Sequence, residues 1–132
     1  MRKIGAAAVA LLLALSLCGC GRYASHYKAV GFVHSNTAES AYMSFFSFEG
    51  RMVFRLKSDG GETLRYTAKL ETGSASVYAD WNGEKRELLS VGAGDDCGDA
   101  VTTDAGTVYI IVETDGPCKN GDFRFSIEEP TE

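Results

Sequence analysis

Histidine is scarce in this chain. Only two of its 132 residues are histidine, His26 and His34, and none follows residue 34. The sequence also lacks the Gly-x-Ser-x-Gly and His-Glu-x-x-His motifs that mark two large groups of hydrolases. Nucleophilic catalysis needs a base held next to the nucleophile on the folded part of the chain. The sequence therefore predicts a non-catalytic protein without a cofactor, with a small hydrolase as the less favoured alternative.

Long apolar runs and clusters of basic side chains are also missing. The longest run of apolar and small residues covers residues 4–17, which is shorter than the roughly 20 residues of a membrane-spanning helix. Lysine and arginine number 13 against 18 acidic residues. This balance argues against nucleic acid as a partner, because phosphate contacts need clustered basic side chains. We interpret the acidity as a contribution to solubility.

The first twenty residues have the layout of a secretory signal. A positively charged start precedes the apolar run, and a small residue, Gly19, stands before Cys20. Together with the aliphatic Leu17 at −3, this ending resembles a bacterial lipobox. The resemblance implies a lipoprotein whose signal peptide, residues 1–19, is removed and whose Cys20 carries acyl chains such as palmitate. It places the protein at the cell membrane or outer membrane, on the extracytoplasmic side.

Two alternatives stay open at this end of the chain. In the first alternative, the signal peptide is retained as a membrane anchor. In the second, Cys18 is acylated, but Leu17 would then occupy the −1 position, where the peptidase requires a small side chain. Cys20 fits better. One buried CH₂ contributes roughly 0.8 kcal/mol, so stable attachment needs more than one acyl chain.

Cleavage before Cys20 would leave 113 residues with a formal charge of −7. This length suits one domain with a single core. Two further cysteines remain, Cys97 and Cys118, and an extracytoplasmic location permits their oxidation. We predict a Cys97–Cys118 disulfide, which would contribute about 3 kcal/mol in the chain-entropy model. A shared metal is the weaker alternative, since no histidine or other cysteine is near either residue.

Residues 20–41 are polar and contain few bulky apolar side chains. We interpret them as the lipidated N-terminus and a tether, with one short strand near residues 29–33. Both histidines lie in this segment. Because metal binding and acid–base catalysis need rigidly held side chains, we assign neither role to them.

From Tyr42 onward, apolar and polar residues alternate. Such a period of two places one set of side chains in a core and the other in water, as in a half-buried strand. The clearest runs cover residues 51–57, 64–71, 74–81, 107–113 and 122–128. Shorter candidate strands at 87–91 and 100–103 flank a glycine-rich acidic loop, residues 92–99.

Turn-forming pairs separate these runs. They are Asp59-Gly60, Thr72-Gly73, Asn82-Gly83, Asp115-Gly116 and Asn120-Gly121. Such pairs supply the positive φ angles of tight turns. The pattern predicts an all-β domain over residues 42–129, a single antiparallel, jelly-roll-like β-sandwich of seven or eight strands. Short connections further predict that strands adjacent in sequence pair in space.

Residues 106–112 and 121–127 each begin with glycine and continue with alternating aliphatic or aromatic residues. This ending resembles the last two strands of bacterial pre-peptidase C-terminal-like domains, which are jelly-roll sandwiches. The resemblance is confined to residues 106–127. It implies a sandwich and assigns no functional residue.

Two groups of residues are candidate ligand sites. Asp95, Asp96 and Asp99 in the acidic loop are weak calcium candidates, although the loop lacks the EF-hand spacing and ordinary solvated turns have the same composition. The sequence therefore predicts no metal site, with calcium binding by this loop as the weaker alternative.

Tyr78, Trp81 and Tyr109 form the second group, as a platform for sugar rings. Trp81 shares the parity of Val77 and Ala79, which favours the core instead. The sequence thus predicts a binding or structural sandwich whose partner is an envelope protein or a glycan. A carbohydrate-binding or adhesion module is the specific alternative.

Overall fold

A computed structural model describes residues 23–129 of the chain. Within this range the protein contains nine β-strands and no helix, and hence no helix that is long and apolar enough to cross a membrane. The predicted signal peptide and the lipidation site Cys20 lie outside the described residues. The strands are β1 (His26–Val30), β2 (Val33–Asn36), β3 (Ser40–Ser58), β4 (Glu62–Thr72), β5 (Ala75–Trp81), β6 (Glu84–Val91), β7 (Asp95–Thr103), β8 (Gly106–Thr114) and β9 (Cys118–Glu128).

All pairings between these strands are antiparallel, in the order β6-β5-β8-β3-β9-β4-β7, with β1 and β2 also paired to β3. The first half of β3 pairs with β9, and its second half pairs with β8. The sheet folds over on itself along β3, so that β6-β5-β8 covers β9-β4-β7. The predicted all-β antiparallel sandwich is confirmed, with seven strands from β3 to β9 as predicted, and with β1 and β2 in addition.

The core lies between the two layers and takes one side chain in two from most strands. Phe48, Phe54 and Phe123 are the largest fully buried side chains, and Trp81 is only 4% exposed. Each fully buried large apolar side chain contributes about 1.5–3 kcal/mol. The alternation in sequence therefore identified the core faces correctly, including that of Trp81.

Strand β3 passes from one layer to the other at Gly50, which has a φ angle of 133°. A Cβ atom at this position would lie 2.3 Å from the carbonyl oxygen of His26 in β1. At this bend, the Thr114 hydroxyl makes the hydrogen bonds to Gly50 that the backbone of a neighbouring strand would otherwise make. It accepts a hydrogen bond from the Gly50 N–H at 2.8 Å and donates to the Gly50 carbonyl at 3.3 Å. The bend therefore requires glycine for both its angle and its close contact.

Consecutive strands pair only at β2–β3 and β5–β6 within the described residues. The expectation that sequence neighbours pair in space is wrong for the other connections, because from β3 onward each crosses from one layer to the other. The predicted turn at Asn120-Gly121 is also wrong. Asn120 lies inside β9 with a φ of 52°, and it kinks the strand instead of reversing it.

The predicted tether needs correction from His26 onward, because β1 and β2 belong to the sheet. β1 and β2 pair with residues 41–51 of β3. Beyond them, the same edge of β3 has no strand among the described residues, and edges with free N–H groups invite aggregation. Ser25 accepts a hydrogen bond from the Val53 N–H at 2.8 Å. The Asn36 amide accepts from the N–H of Arg55 at 2.9 Å and donates to its carbonyl at 2.8 Å. The N-terminal segment thus closes this edge.

The predicted disulfide is not formed, and Cys97 and Cys118 are both free thiols. Cys97 lies in β7 and Cys118 at the start of β9, with β4 between these strands. Two strand spacings are roughly 10 Å, beyond the limit of about 7 Å between the Cα atoms of a disulfide. Burial raises the pKa of both thiols, and Asp95 and Asp96 raise that of Cys97 further. Both thiols are therefore poorly nucleophilic near neutral pH.

The Gly50→Ala substitution should destabilise the fold by about 3 kcal/mol or more, since it adds both backbone strain and a steric clash. Gly83→Ala is the matched control. Gly83 has a φ of 74° but no atom within 4 Å of an added Cβ, so only about 1 kcal/mol should be lost. Urea unfolding of both variants measures the difference. Equal losses would show that the contact with β1 does not restrict this position.

Reduction should leave the thermal stability unchanged. We expect dithiothreitol to shift the melting temperature by less than about 1 °C, because no disulfide constrains the unfolded chain. Thiol titration of the native protein should show Cys97 reacting before the fully buried Cys118. A fall of several degrees on reduction, with no titratable thiol beforehand, would contradict the free-thiol assignment.

Candidate functional site

A shallow groove crosses the outer face of the β3-β9-β4-β7 layer. It consists of three adjoining depressions of about 410, 540 and 390 Å³. The first two share Arg124, and the last two share Lys69 and Asn120, so the depressions are continuous. The side chains that line them and carry the argument below are Tyr42, Ser44, Arg65, Thr67, Lys69, Asp96, Asp122 and Arg124.

Strand register arranges the groove side chains in two parallel rows across four strands. The tyrosine row is Tyr42, Arg124, Thr67 and Gly98, and the lysine row is Ser44, Asp122, Lys69 and Asp96. Residues directly opposite one another on neighbouring strands place their side chains on the same face. The rows are two residues apart along each strand, or about 7 Å. The result is a compact grid of one aromatic and several polar side chains.

The tyrosine row ends at Gly98, where a side chain has no room. A Cβ atom there would lie 2.7 Å from the Tyr66 carbonyl oxygen and 2.9 Å from Cγ2 of Thr67. Glycine at this position allows β7 to lie close against Tyr66 and Thr67 of β4.

Arg124 is held in place at the centre of the groove. Its guanidinium carbon lies 4.6 Å from the Tyr42 ring centroid. Its Nε and Nη2 atoms donate to the two Asp122 oxygens at 2.8 and 3.2 Å. The hydrogen bond to Asp122 also raises the pKa of Arg124. A guanidinium has five N–H donors, so those not used by Asp122 are available to a ligand.

The other charged groups of the groove are also matched. Arg65 donates to Glu128 at 3.0 Å, and this hydrogen bond lowers the pKa of the Glu128 carboxyl. Lys69 lies opposite Asp96 and Asp122. Exposed pairs of this kind add little stability. Their consequence is a groove with many donors and acceptors, in which three basic side chains stand among four acidic ones.

An apolar patch borders the groove on the side of β1 and β2. It consists of Phe46, Val30 and Val33, which are 55%, 61% and 59% exposed. Val33 lies opposite Ser44, and an added Cβ at Gly31 would contact Phe46 at 3.1 Å. The inward-facing positions change parity between Phe45 and Phe48. Phe46 therefore faces outward like Tyr42 and Ser44, although the alternation in the rest of β3 would place it inward. The sequence pattern did not reveal this irregularity.

The three predicted sugar-contacting aromatics lie in two different environments. Tyr78 and Tyr109 are on the outer face of the β5-β8 layer, whereas Trp81 is in the core with the Arg86 guanidinium 3.8 Å from its ring. A platform containing Trp81 is therefore excluded by its burial. The two tyrosines are partly covered, because Lys85 lies 4.3 Å from the Tyr78 ring and Tyr23 contacts the Tyr109 ring at 5.4 Å.

The acidic loop with the calcium candidates is largely the strand β7. Consecutive strand residues point to opposite faces, so Asp95 and Asp96 do not converge. Asp95 accepts a hydrogen bond from the Gly92 N–H at 2.7 Å, and Asp99 accepts from the Ala100 N–H at 2.8 Å. Across residues 23–129 no group of three or more potential metal ligands is present. The structure gives the calcium hypothesis no support.

Comparisons with known proteins identify no family. No protein-family model matches the chain, and no curated protein matches it either. The resemblance to pre-peptidase C-terminal-like domains therefore stays a prediction.

Several solved structures are weakly similar. A family 29 carbohydrate-binding module has a TM-score of 0.39 and 17% identity, with 81% of each chain covered. A carbohydrate-binding module of Cellvibrio mixtus lichenase 5A, in complex with cellotriose, has a TM-score of 0.41 and 8% identity over 80% of this chain and 91% of that one. The Drosophila melanogaster CENP-C cupin domain has a TM-score of 0.37 and 19% identity, over 79% and 70%. Because every one of these TM-scores is below 0.5, we infer no ligand from them.

Proposed function

We propose that this protein is a lipid-anchored, extracytoplasmic protein that binds a glycan chain in the groove and does not catalyse a reaction. The observation that carries the proposal is the pair of cross-strand rows, in which Tyr42 and the fixed Arg124–Asp122 pair stand among hydroxyl and amine groups. The lipid anchor rests on the lipobox-like segment ending at Cys20.

The chemistry of a sugar chain suits this arrangement. A pyranose ring has apolar C–H faces and a rim of hydroxyl groups, so it needs a flat apolar surface beside donors and acceptors. The Tyr42 ring and the planar Arg124 guanidinium beside it offer such a surface. Arg124, Thr67 and Lys69 offer donors, and Asp122 and Asp96 offer acceptors. The matched charges favour a neutral glycan over a strongly acidic one. The length of the groove, which runs over three adjoining depressions, favours a chain over a single sugar.

The groove residues also support a role without catalysis. Glycosidases use two carboxyl groups on either side of the scissile bond, one of them acting as an acid. Both oxygens of Asp122 already accept hydrogen bonds from Arg124, so this carboxylate is engaged in a pair that fixes the Arg124 side chain. No histidine follows residue 34 to act in its place.

A second candidate function is the binding of an envelope protein. The exposed apolar patch of Phe46, Val30 and Val33 supports it, since isolated apolar side chains are normal on a surface but contiguous ones mark interaction sites. This patch adjoins the groove, and a single partner is able to contact both. Substitutions in the groove and in the patch separate the two functions.

Binding of the secreted form, residues 21–132, to an array of glycans and cell-wall polysaccharides tests the proposal. Tyr42→Ala and Arg124→Ala should each weaken binding about tenfold, or roughly 1.4 kcal/mol. Tyr42→Phe should retain most of the affinity because it keeps the ring.

Tyr78→Ala is the matched control on the opposite face and should leave binding unchanged. Loss of binding in Tyr78→Ala or Tyr109→Ala, but not in Tyr42→Ala, would move the site to the face predicted from the sequence. No binding to any glycan would favour an envelope protein as the partner.

Acylation should depend on Cys20 and not on Cys18. We expect Cys20→Ala to remove incorporation of labelled palmitate and to release the protein from the membrane fraction, because stable attachment requires the acyl chains. Cys18→Ala serves as the control and should remain membrane-bound. Equal loss of label in both variants would show that cleavage occurs elsewhere.

A further inference from the structure

The chain enters the sandwich across the outer face of the β5-β8 layer, on the side away from the groove. The Tyr23 ring lies 5.4 Å from the Tyr109 ring, and the Tyr23 hydroxyl donates to Asp80, which is 2% exposed. Two residues later, Ser25 accepts from the Val53 N–H, and β1 begins at His26. The backbone is thus fixed to this face from Tyr23 onward.

Little chain remains between this contact and the proposed lipid. Three residue steps separate Cys20 from Tyr23, and at most 3.3–3.6 Å per residue gives a span of about 10 Å. The backbone therefore reaches at most about 10 Å from Tyr23 to the proposed acylation site. A tether of twenty or more residues, which the sequence suggested, would have left the orientation of the domain free.

The same face combines tyrosines with basic side chains, beside the acidic Glu87 and Glu113. Tyr78 and Tyr109 lie on neighbouring strands, with Val53 on the strand beyond β8. Lys85 lies over the Tyr78 ring at 4.3 Å, and Arg55 lies 5.9 Å from the Tyr109 ring. Tyrosine is enriched where protein meets the headgroup region, and basic side chains are attracted to anionic headgroups.

We infer that the protein is held against the bilayer through the outer face of β5-β8 and that the groove faces away from the membrane. Tyr23 fixes the N-terminal segment to this outer face through its contacts with Tyr109 and Asp80. The inference rests on the lipid anchor of the proposed function. The two outer faces are opposite because the inner faces of both layers share one core, in which Phe123 and Leu64 pack with Val77 and Val112. The arrangement leaves the groove accessible to a ligand outside the membrane.

Energy transfer from Trp81, the only tryptophan, to a dansyl-labelled lipid measures the distance to the bilayer. The acylated full-length protein is reconstituted in phosphatidylethanolamine–phosphatidylglycerol vesicles, and flotation first establishes attachment. The wild type should show strong transfer. Ten Gly/Ser residues inserted between Arg22 and Tyr23 add about 18 Å of mean reach, and transfer should fall by about half or more.

Substitutions of Tyr23 provide a matched comparison of energy transfer. Tyr23→Ala should lower transfer in the same direction, whereas Tyr23→Phe keeps the ring on Tyr109 and should retain more of it. Vesicles that float but give equal transfer for the wild type and the linker variant would overturn the inference while leaving the anchor intact. Failure of the wild type to float would overturn the anchor itself, and this inference with it.

Oxidative footprinting of the wild type on the same vesicles tests the orientation without any substitution. Tyr78 and Val53 should be less modified on vesicles than in the unacylated secreted form, while Tyr42 and Phe46 should be modified equally in both. Protection of Tyr42 and Phe46 instead would show that the groove faces the bilayer and would overturn the proposed orientation.

Discussion

Strand β3 is the part of the chain on which both layers depend. Its first half supports β9 and its second half supports β8, so every other long strand is joined to the sheet through it. The transition between the halves needs the φ angle of Gly50 and the close approach of β1. Thr114 supplies the hydrogen bonds that the bend removes from the ladder. The core exists because this one strand lines both of its walls.

The sequence predicted whatever depends on local alternation, and it failed where distant strands decide the outcome. Val77, Ala79 and Trp81 were assigned to the core by parity alone, and all three are buried. Parity does not reveal which strands pair, so the sequence alone predicts a disulfide between Cys97 and Cys118 although β4 separates their strands. The sequence predicts a tether in the N-terminal segment because the few apolar residues of this segment do not show that it pairs with the edge of β3.

The groove illustrates the same limit for a functional site. Tyr42, Arg124 and Thr67 are far apart in sequence, and only the registers of β3 with β9 and of β9 with β4 place them in one row. Tyr78 and Tyr109 were easier to propose because each stands in a plain alternating run. A site built from single residues on several strands has no contiguous motif, so its discovery required the strand order.

The position of the N-terminus bears on which of the two faces is free to bind a ligand. Tyr109 is already in contact with Tyr23 and lies near Arg55, and Lys85 lies over Tyr78. A sugar ring would have to displace these contacts before it could stack there. Arg124 lies over the Tyr42 ring in the same way, but its side chain is 63% exposed and held by Asp122, so a ligand is able to bind Arg124 where it stands without displacing it. The groove therefore has its binding groups in place before a ligand arrives, which lowers the ordering cost of association.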